Sequence, residues 1–532
     1  MKTGNKVKSL IAAVVLLMLL SACSSGSKGN TNSEASPSGS ASAPASSSAS
    51  SPQPEKPIDL LWLSFDPPET DDTPVQKFLE ERFNVKIENM RVDRTSWKEH
   101  LNIRLATKEV PDLFFMFSGE EVLEYSNQGL LSELPVDLIK EKMPKYAASV
   151  DELDPSLWNN AVVDGKNYAI PLYWLDGITP FLPAYNGDWL KAAGYDAPPE
   201  TLEEYEKLLY AYTKDDPDKN GKADTYGLTG RGKDSIATLA FNSVYSAFGT
   251  SPGAWVKADD GSLAYGMTTE RTREALKMLN KWYKDGVIDK EFLTTDYAKQ
   301  RQDLANRRSG VVDVGMWNSY AIAIEPEFKG QNPNTELVVG KPLVGPYGDK
   351  AGLSWGVKNN FVGMGAQVAK DPKKMDKLFE ILEALATDEE VYKMTYFGVE
   401  GEHYDLVDGV PTPKEQYVNV TERGAKVGAS SYYGIFGTKS SYMSKFDLPA
   451  KQAEFKKRVT EGVPAFNNLL TFIAPEAAQY PDLNRIRDEY LIKFIIGEVN
   501  LDQGFDDFVK LWKSSGGEAL TKAVNDRYAA LK

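Results

Sequence analysis

From Ile58 onward the chain switches repeatedly between two hydrophobic periods. PIDLLWLSF reads as a strand, and Thr73-Pro74 then cap a helix carrying Val75, Phe78, Leu79 and Phe83. NVKIENM follows as a second strand. A further helix sets Trp97, Leu101 and Leu105 four residues apart, and PDLFFMF is a short, continuously apolar strand of the buried parallel type. The order βαβαβ predicts an α/β lobe. Later stretches carry more helix: LFEILEALATDEEVYKMTYFG reads as helical, and DEYLIKFIIGEV and FDDFVKLWKSSGGEALTKAVNDRYAALK predict a helical finish. The chain shows no fixed-period internal repeat.

Ahead of this lies a different pattern. Lys2, Lys6 and Lys8 precede an apolar run from Leu10 to Leu20, short of the ~20 residues that span a bilayer and suited to the core of a signal peptide. It ends in Leu20-Ser21-Ala22-Cys23, which resembles the bacterial lipoprotein signal. That resemblance makes residues 1–22 a removed signal peptide and Cys23 the lipidated first residue. Residues 24–57, rich in Ser, Pro and Ala, hold almost no apolar bulk and cannot offset their ordering entropy, so 23–57 is expected to be a lipidated tether.

Composition narrows the chemistry. The 532 residues contain one Cys, so disulfides and Cys-based metal sites are excluded and stability must come from burial. Net charge is −15, and loss of the three leader lysines takes it to −18, which disfavours nucleic acid or a strongly anionic partner captured by bulk charge. His100 and His403 are the only histidines, too few for a His-rich metal site.

Two motifs look chemical and fail on inspection. GLTGRGKD, Gly227 to Asp234, approaches a phosphate loop, but Asp234 stands where a hydroxyl should meet magnesium; it reads better as a helix N-cap. GTSPG, Gly249 to Gly253, matches a nucleophile elbow, yet Pro252 has no N–H for the oxyanion hole. Carboxylates are abundant, and no particular pair suggests a glycoside-cleaving site.

DPDKNGKADTYG, residues 216–227, places oxygen donors at alternate positions as a hard cation requires: Asp216, Asp218, Asn220, the Lys222 carbonyl and Asp224, with Gly221 at the turn. Gly227 replaces the usual closing Glu, leaving water, a backbone oxygen or Thr225 to complete the shell. The helix before it has a Thr201/Glu204 capping box, and Leu202, Tyr205, Leu208, Leu209 and Tyr212 line one face. YGLTG follows as a strand rather than a second helix, so a sensor is excluded and two readings stay open: a structural calcium clip, or an Asx-rich turn without metal.

The lipobox, the Ser-rich tether, PDLFFMFSG, NYAIPLYW, YNGDWLKAAGYDAPPETLEEYEKLL, the 216–227 loop, VVDVGMWNSY and YFGVEGEHY together resemble extracellular solute-binding proteins of family 1, the capture subunits of carbohydrate ABC importers. The likeness is greatest to long, alginate-oligosaccharide-binding-like members, whose calcium loop maps onto Asp216, Asp218, Asn220, Lys222 and Asp224; Thr225 stands where they place an acid. The resemblance implies a two-lobed, periplasmic-binding-protein-like α/β fold of type II, with discontinuous lobes and hinge strands. Residues 58–177 and 356–412 would form the N-lobe, 178–355 and 413–532 the C-lobe, with crossings near Leu172–Phe181, Ser354–Val357 and Pro411–Glu415. A monomer is expected, lipid-anchored on the outer face of the cell membrane and delivering an oligosaccharide to permease subunits, without chemistry of its own.

Pyranose rings offer apolar faces to aromatics and hydroxyls to planar polar groups, so aromatics at loop ends are the candidates. Trp317 matches a sugar-stacking Trp of maltodextrin-binding relatives, with core packing as its alternative. Tyr173 and Trp174 lie at the first crossing and Trp355 at the second, each Trp divided between stacking and hinge packing. Phe117 and Glu120 follow a parallel strand, where open α/β sheets present ligand contacts. Tyr245 and Tyr433 are C-lobe candidates, whereas Trp62, Trp97 and Trp189 are assigned to packing. Rival readings are a surface-anchored glycosidase or lyase, marked by carboxylates facing across the cleft, and a binding lipoprotein for a non-sugar solute, marked by a cleft poor in exposed aromatics.

Overall fold

The computed structural model describes residues 55–315, 318–437, 440–446, 448 and 450–531. The leader, Cys23, the tether up to residue 54 and Trp317 lie outside the described residues.

The strands that frame the molecule are β1 (Ile58–Leu63), β2 (Val85–Asn89), β3 (Leu113–Met116), β4 (Ile170–Tyr173), β5 (Leu182–Asn186), β6 (Tyr226–Leu228), β7 (Ser309–Val314), β8 (Leu337–Val339), β9 (Gly352–Leu353), β10 (Lys358–Met364) and β11 (Ala465–Phe466). Helices α1 (Pro74–Phe83), α2 (Trp97–Ala106) and α3 (Gly119–Asn127) alternate with the first three strands. The first sheet runs β2-β1-β3-β10-β4 and the second β8-β5-β7-β6. β1, β2 and β3 are parallel, while β10 enters antiparallel between β3 and β4.

Local chemistry accounts for these elements. The Thr73 hydroxyl accepts the Gln76 N–H at the start of α1, Pro74 supplies a first-turn residue with no N–H to satisfy, and Asn84 ends the helix at φ 52°. All four β3 residues are buried, as its unbroken apolar run demands. Trp62 and Trp189 are fully buried and Trp97 nearly so, each within a core.

Each sheet has its own core. Leu60, Trp62, Phe114 and Val362 belong to the first, and Tyr185, Leu208, Trp282 and Val311 to the second. The helices Asp482–Ile496, Leu501–Trp512 and Glu518–Ala530 contribute Phe494, Phe508 and Val524 to the second core. The expected assignment of everything after 412 to the second lobe fails, because Val427, Tyr432, Tyr433 and Phe436 lie in the first core. Reciprocal bonds hold this segment: the Trp62 indole donates to the Tyr432 carbonyl at 3.1 Å, and the Tyr432 hydroxyl donates to the Trp62 carbonyl at 2.8 Å. The hairpin Tyr404–Val407/Val410–Pro413 also stays with the first lobe's periphery, where Tyr404 packs with Tyr392 and Phe446. The third crossing therefore lies beyond Phe446 rather than at Pro411–Glu415.

The three crossings are bonded to one another. The Phe181 N–H donates to the Leu353 carbonyl, and the Trp355 N–H to the Gly177 carbonyl at 3.0 Å. β9 pairs in parallel with β11, and the Ser354 N–H continues the ladder to the Phe466 carbonyl. Trp174, Phe181, Leu239, Leu353 and Phe466 form a small apolar cluster against this ribbon. Both lobes belong to one compact unit, Glu55–Lys532.

Candidate ligand cleft

A cleft of about 350 Å³ opens where this ribbon meets the C-terminal end of β3. Its first-lobe wall is Phe117, Glu120 and Asn160; Thr238, Ser251 and Gly253 come from the second lobe. Its floor carries Trp355, Lys358, Asn359, Asn360 and Asn467.

Each wall has a local cause. β3 stops at Met116, and Ser118 caps α3 by accepting the Glu121 N–H, which turns Phe117 and Glu120 into the opening. Phe117 is held edge-on to Trp97 at 5.0 Å, and the Arg94 guanidinium lies over the Phe117 and Phe65 rings. The Glu121 carboxylate accepts the Phe117 N–H at 2.6 Å, although burial pushes its pKa above the usual carboxylate range. On the floor, β10 and β4 pair at Lys358 with Tyr173 and at Phe361 with Pro171, so β10 carries one extra residue. That bulge brings Asn359 and Asn360 to the cleft, where their side chains bond to no described residue. Gly356 sits at φ +70°, and a Cβ there would come within 2.4 Å of the Asn467 amide nitrogen, so glycine makes room for that side chain.

Trp355 is 42% exposed with its backbone fixed to Gly177, a rigid ring face left open to the cleft. Asn160 is buried; its amide donates to the Ser156 and Leu157 carbonyls, and its Oδ1 has no partner among the described residues. These amides suit ligand hydroxyls, which both give and accept hydrogen bonds.

Phe117, Glu120 and Trp355 are thus the sequence candidates that line the cleft. Trp174 packs in the hinge cluster. Tyr173 is buried and stacked on Tyr146 at 5.5 Å, its hydroxyl shared with Ser149 and Ser441. Tyr245 is buried in the second core, where burial raises its pKa. Tyr433 is fully buried in the first lobe rather than the second, donating to Gln76 and Asn89. Asn160, Lys358, Asn359, Asn360 and Asn467 were missed; VKNNF, with three consecutive polar residues opening a strand, held the readable signal for three of them. Asp234 is no N-cap: it lies inside the short helix Gly232–Ser235 and pairs with Arg231.

The profile of the bacterial extracellular solute-binding proteins matches residues 66–392. The chain belongs to that family. This solute-binding protein is 28% identical to the lipoprotein LipO of Bacillus subtilis, over 87% of this chain and 90% of LipO. It is 23% identical to the polygalacturonan/rhamnogalacturonan-binding protein YtcQ of the same organism, over 99% and 100%. Among solved structures, alginate-binding protein AlgQ2 without calcium ion superposes with TM-score 0.65 at 19% identity, covering 89% of this chain and 98% of AlgQ2. An EF-hand mutant of FusA from Streptococcus pneumoniae, in complex with fructo-nystose, gives 0.65 at 18%, covering 90% and 100%. The fold is the two-lobed α/β architecture of these proteins.

In this solute-binding protein the 216–227 loop joins the helix Leu202–Lys214, whose capping box forms as the sequence predicts, to β6. Asn220 donates its amide to Asp218 at 2.8 Å and Asp224 at 3.0 Å, while Asp216 accepts the Gly221 N–H. Among the described residues no three acidic, His or Cys side chains close on one metal-sized point; the Asn220 amide spans the loop's carboxylates instead. Burial and the neighbouring Asp216 carboxylate raise the Asp218 pKa, a strain that a cation would relieve. The hard-oxygen donor set fits calcium. Thr225 is buried, with its hydroxyl donating to the Tyr212 carbonyl at the end of the preceding helix.

Proposed function

We propose that this protein captures an oligosaccharide between its lobes and delivers it to the membrane permease of an ABC importer, itself held to the outer face of the membrane by lipid on Cys23. The exposed Trp355 ring beside Asn359 and Asn360, whose amides bond to no described residue, carries this reading: an apolar ring face and unfilled polar groups are the two requirements of a pyranose. YtcQ, AlgQ2 and FusA, all named for glycan ligands, support it. The bridged crossings would let the lobes close on the sugar as a hinged clamp. The 216–227 loop would act as a calcium clip tying helix to strand, and the protein would carry out no reaction on its cargo. The cleft's carboxylates, Glu120 and Asp154, both come from the first lobe, so no acidic pair among the described lining residues faces across it.

The test is thermal unfolding against an oligosaccharide panel, with product analysis, for wild type and Trp355→Ala. Saturating a site at ~100 Kd adds about 2.7 kcal/mol of stability. One sugar class should raise the midpoint without breakdown, and Trp355→Ala should lose that rise while keeping the ligand-free midpoint. Turnover of the sugar, or a response to non-sugar solutes alone, would refute the proposal.

A further inference from the structure

Three ionisable side chains line the cleft among the described residues: Glu120, Asp154 and Lys358. The two acids are answered within their own lobe. Asp154 caps the short helix Pro155–Ala161, its Oδ1 accepting the Ser156 N–H at 2.9 Å. Glu120 stands exposed in the first turn of α3, where the helix dipole favours a carboxylate.

Lys358 has no such answer. It is half-buried at the bulged start of β10, and its ammonium forms no ion pair or hydrogen bond with a described residue. Glu120 is the acid whose charge reaches it, and burial outweighs that pull, holding the lysine's pKa below its usual range. The cleft thus contains a cation taken partly out of water without a neutralising contact, a state that costs free energy until an anion arrives. Lys358 sits inside the cleft, where low-dielectric walls focus local charge, so the net charge of −15 does not by itself set the sign there.

We propose that the cleft takes an acidic oligosaccharide and that Lys358 is a specificity-determining residue, its ammonium pairing with a sugar-ring carboxylate while Asn359 and Asn360 bind neighbouring hydroxyls. This rests on the carbohydrate reading above.

Calorimetric titration of the full chain tests it, using uronate oligomers (galacturonate, glucuronate and mannuronate) and neutral galactose, glucose and mannose oligomers of equal length. Wild type, Lys358→Met and Lys358→Arg are compared. A uronate oligomer should bind wild type, weaken by roughly tenfold or more in Lys358→Met, and recover in Lys358→Arg, with affinity falling as salt rises. Preference for a neutral oligomer, or uronate affinity unchanged in Lys358→Met, would overturn the acidic reading and leave the carbohydrate reading standing. Binding of neither class would overturn both.

Discussion

Replacing Gly177 by Ala tests whether the crossings touch as closely as the structure shows. Gly177 lies in the first crossing, and a Cβ there would sit 2.1 Å from the Gly356 carbonyl oxygen of the second. Ordinary contact begins near 3.4 Å, so the two crossings must part by roughly 1.3 Å, the gap between those distances. The obstacle is backbone on backbone, and no rotamer change relieves it. Parting strains the Trp355 N–H bond to the Gly177 carbonyl, worth about 0.5–1.5 kcal/mol, and overpacking adds about 1–3 kcal/mol. The variant should lose about 1.5–4.5 kcal/mol and, because Trp355 follows the displaced strand, bind ligand more weakly. Urea unfolding of the chain from Glu55, followed by ligand titration, measures both. Gly330→Ala is the control: Gly330 is exposed near the end of a helix, and a methyl added there would meet nothing within 4 Å, so this change should stabilise by about 0.5–1 kcal/mol. A Gly177→Ala protein that unfolds and binds like wild type would refute the bonded hinge.

Tyr433→Phe should cost about 1–3 kcal/mol in urea unfolding by stranding the buried Asn89 Oδ1, while Gln76 Oε1 keeps the Asn89 amide and the Asp72 N–H, with ligand affinity unchanged because the site is in the first core. Burial holds the His403 pKa below its usual value, so the unfolded chain takes up a proton that the folded chain refuses. Its stabilising contribution is therefore present above the unfolded imidazole pKa of about 6.5 and is lost as pH falls toward the folded value. The urea midpoint should drop between pH 7.5 and 5.5, less so in His403→Gln, and of the two imidazole NMR signals the one missing from that variant should titrate low. Calcium should raise the melting temperature and a chelator reverse it; Asp218→Ala should abolish the response, whereas Thr225→Val should retain it because that side chain is buried against the preceding helix.

The fold was legible where one local signal decided the outcome. Thr73-Pro74 could only open a helix, four apolar residues in a row at Leu113–Met116 asked for a strand buried on both faces, and Thr201 with Glu204 fixed another helix start. The last lobe boundary was hidden for the opposite reason. SSYYGIFG reads as a Gly- and Ser-rich loop with aromatics, and nothing local says whether Tyr432 and Tyr433 face a ligand or a core. The decision is made 370 residues away, by the Trp62 indole and carbonyl that exchange hydrogen bonds with Tyr432.

The same logic separates the cleft residues that could be anticipated from those that could not. Phe117 and Glu120 were readable because their position follows from one strand ending. Trp355 was readable as a hinge residue, and its exposure became visible only once the Gly177 carbonyl had fixed its backbone. Tyr173 and Trp174, its neighbours in the same hinge, were equally plausible in sequence and turned inward because Tyr146, Ser149 and Phe181 waited there. Asn359, Asn360 and Lys358 depend on a single extra residue in β10, which displaces VKNNF from its expected register against β4. Removing that residue would restore regular pairing and carry the polar side chains away from the opening. On the proposed reading, ligand chemistry would be set less by which polar residues the strand contains than by the bulge that aims them, and a bulge is a property of two strands, not of one.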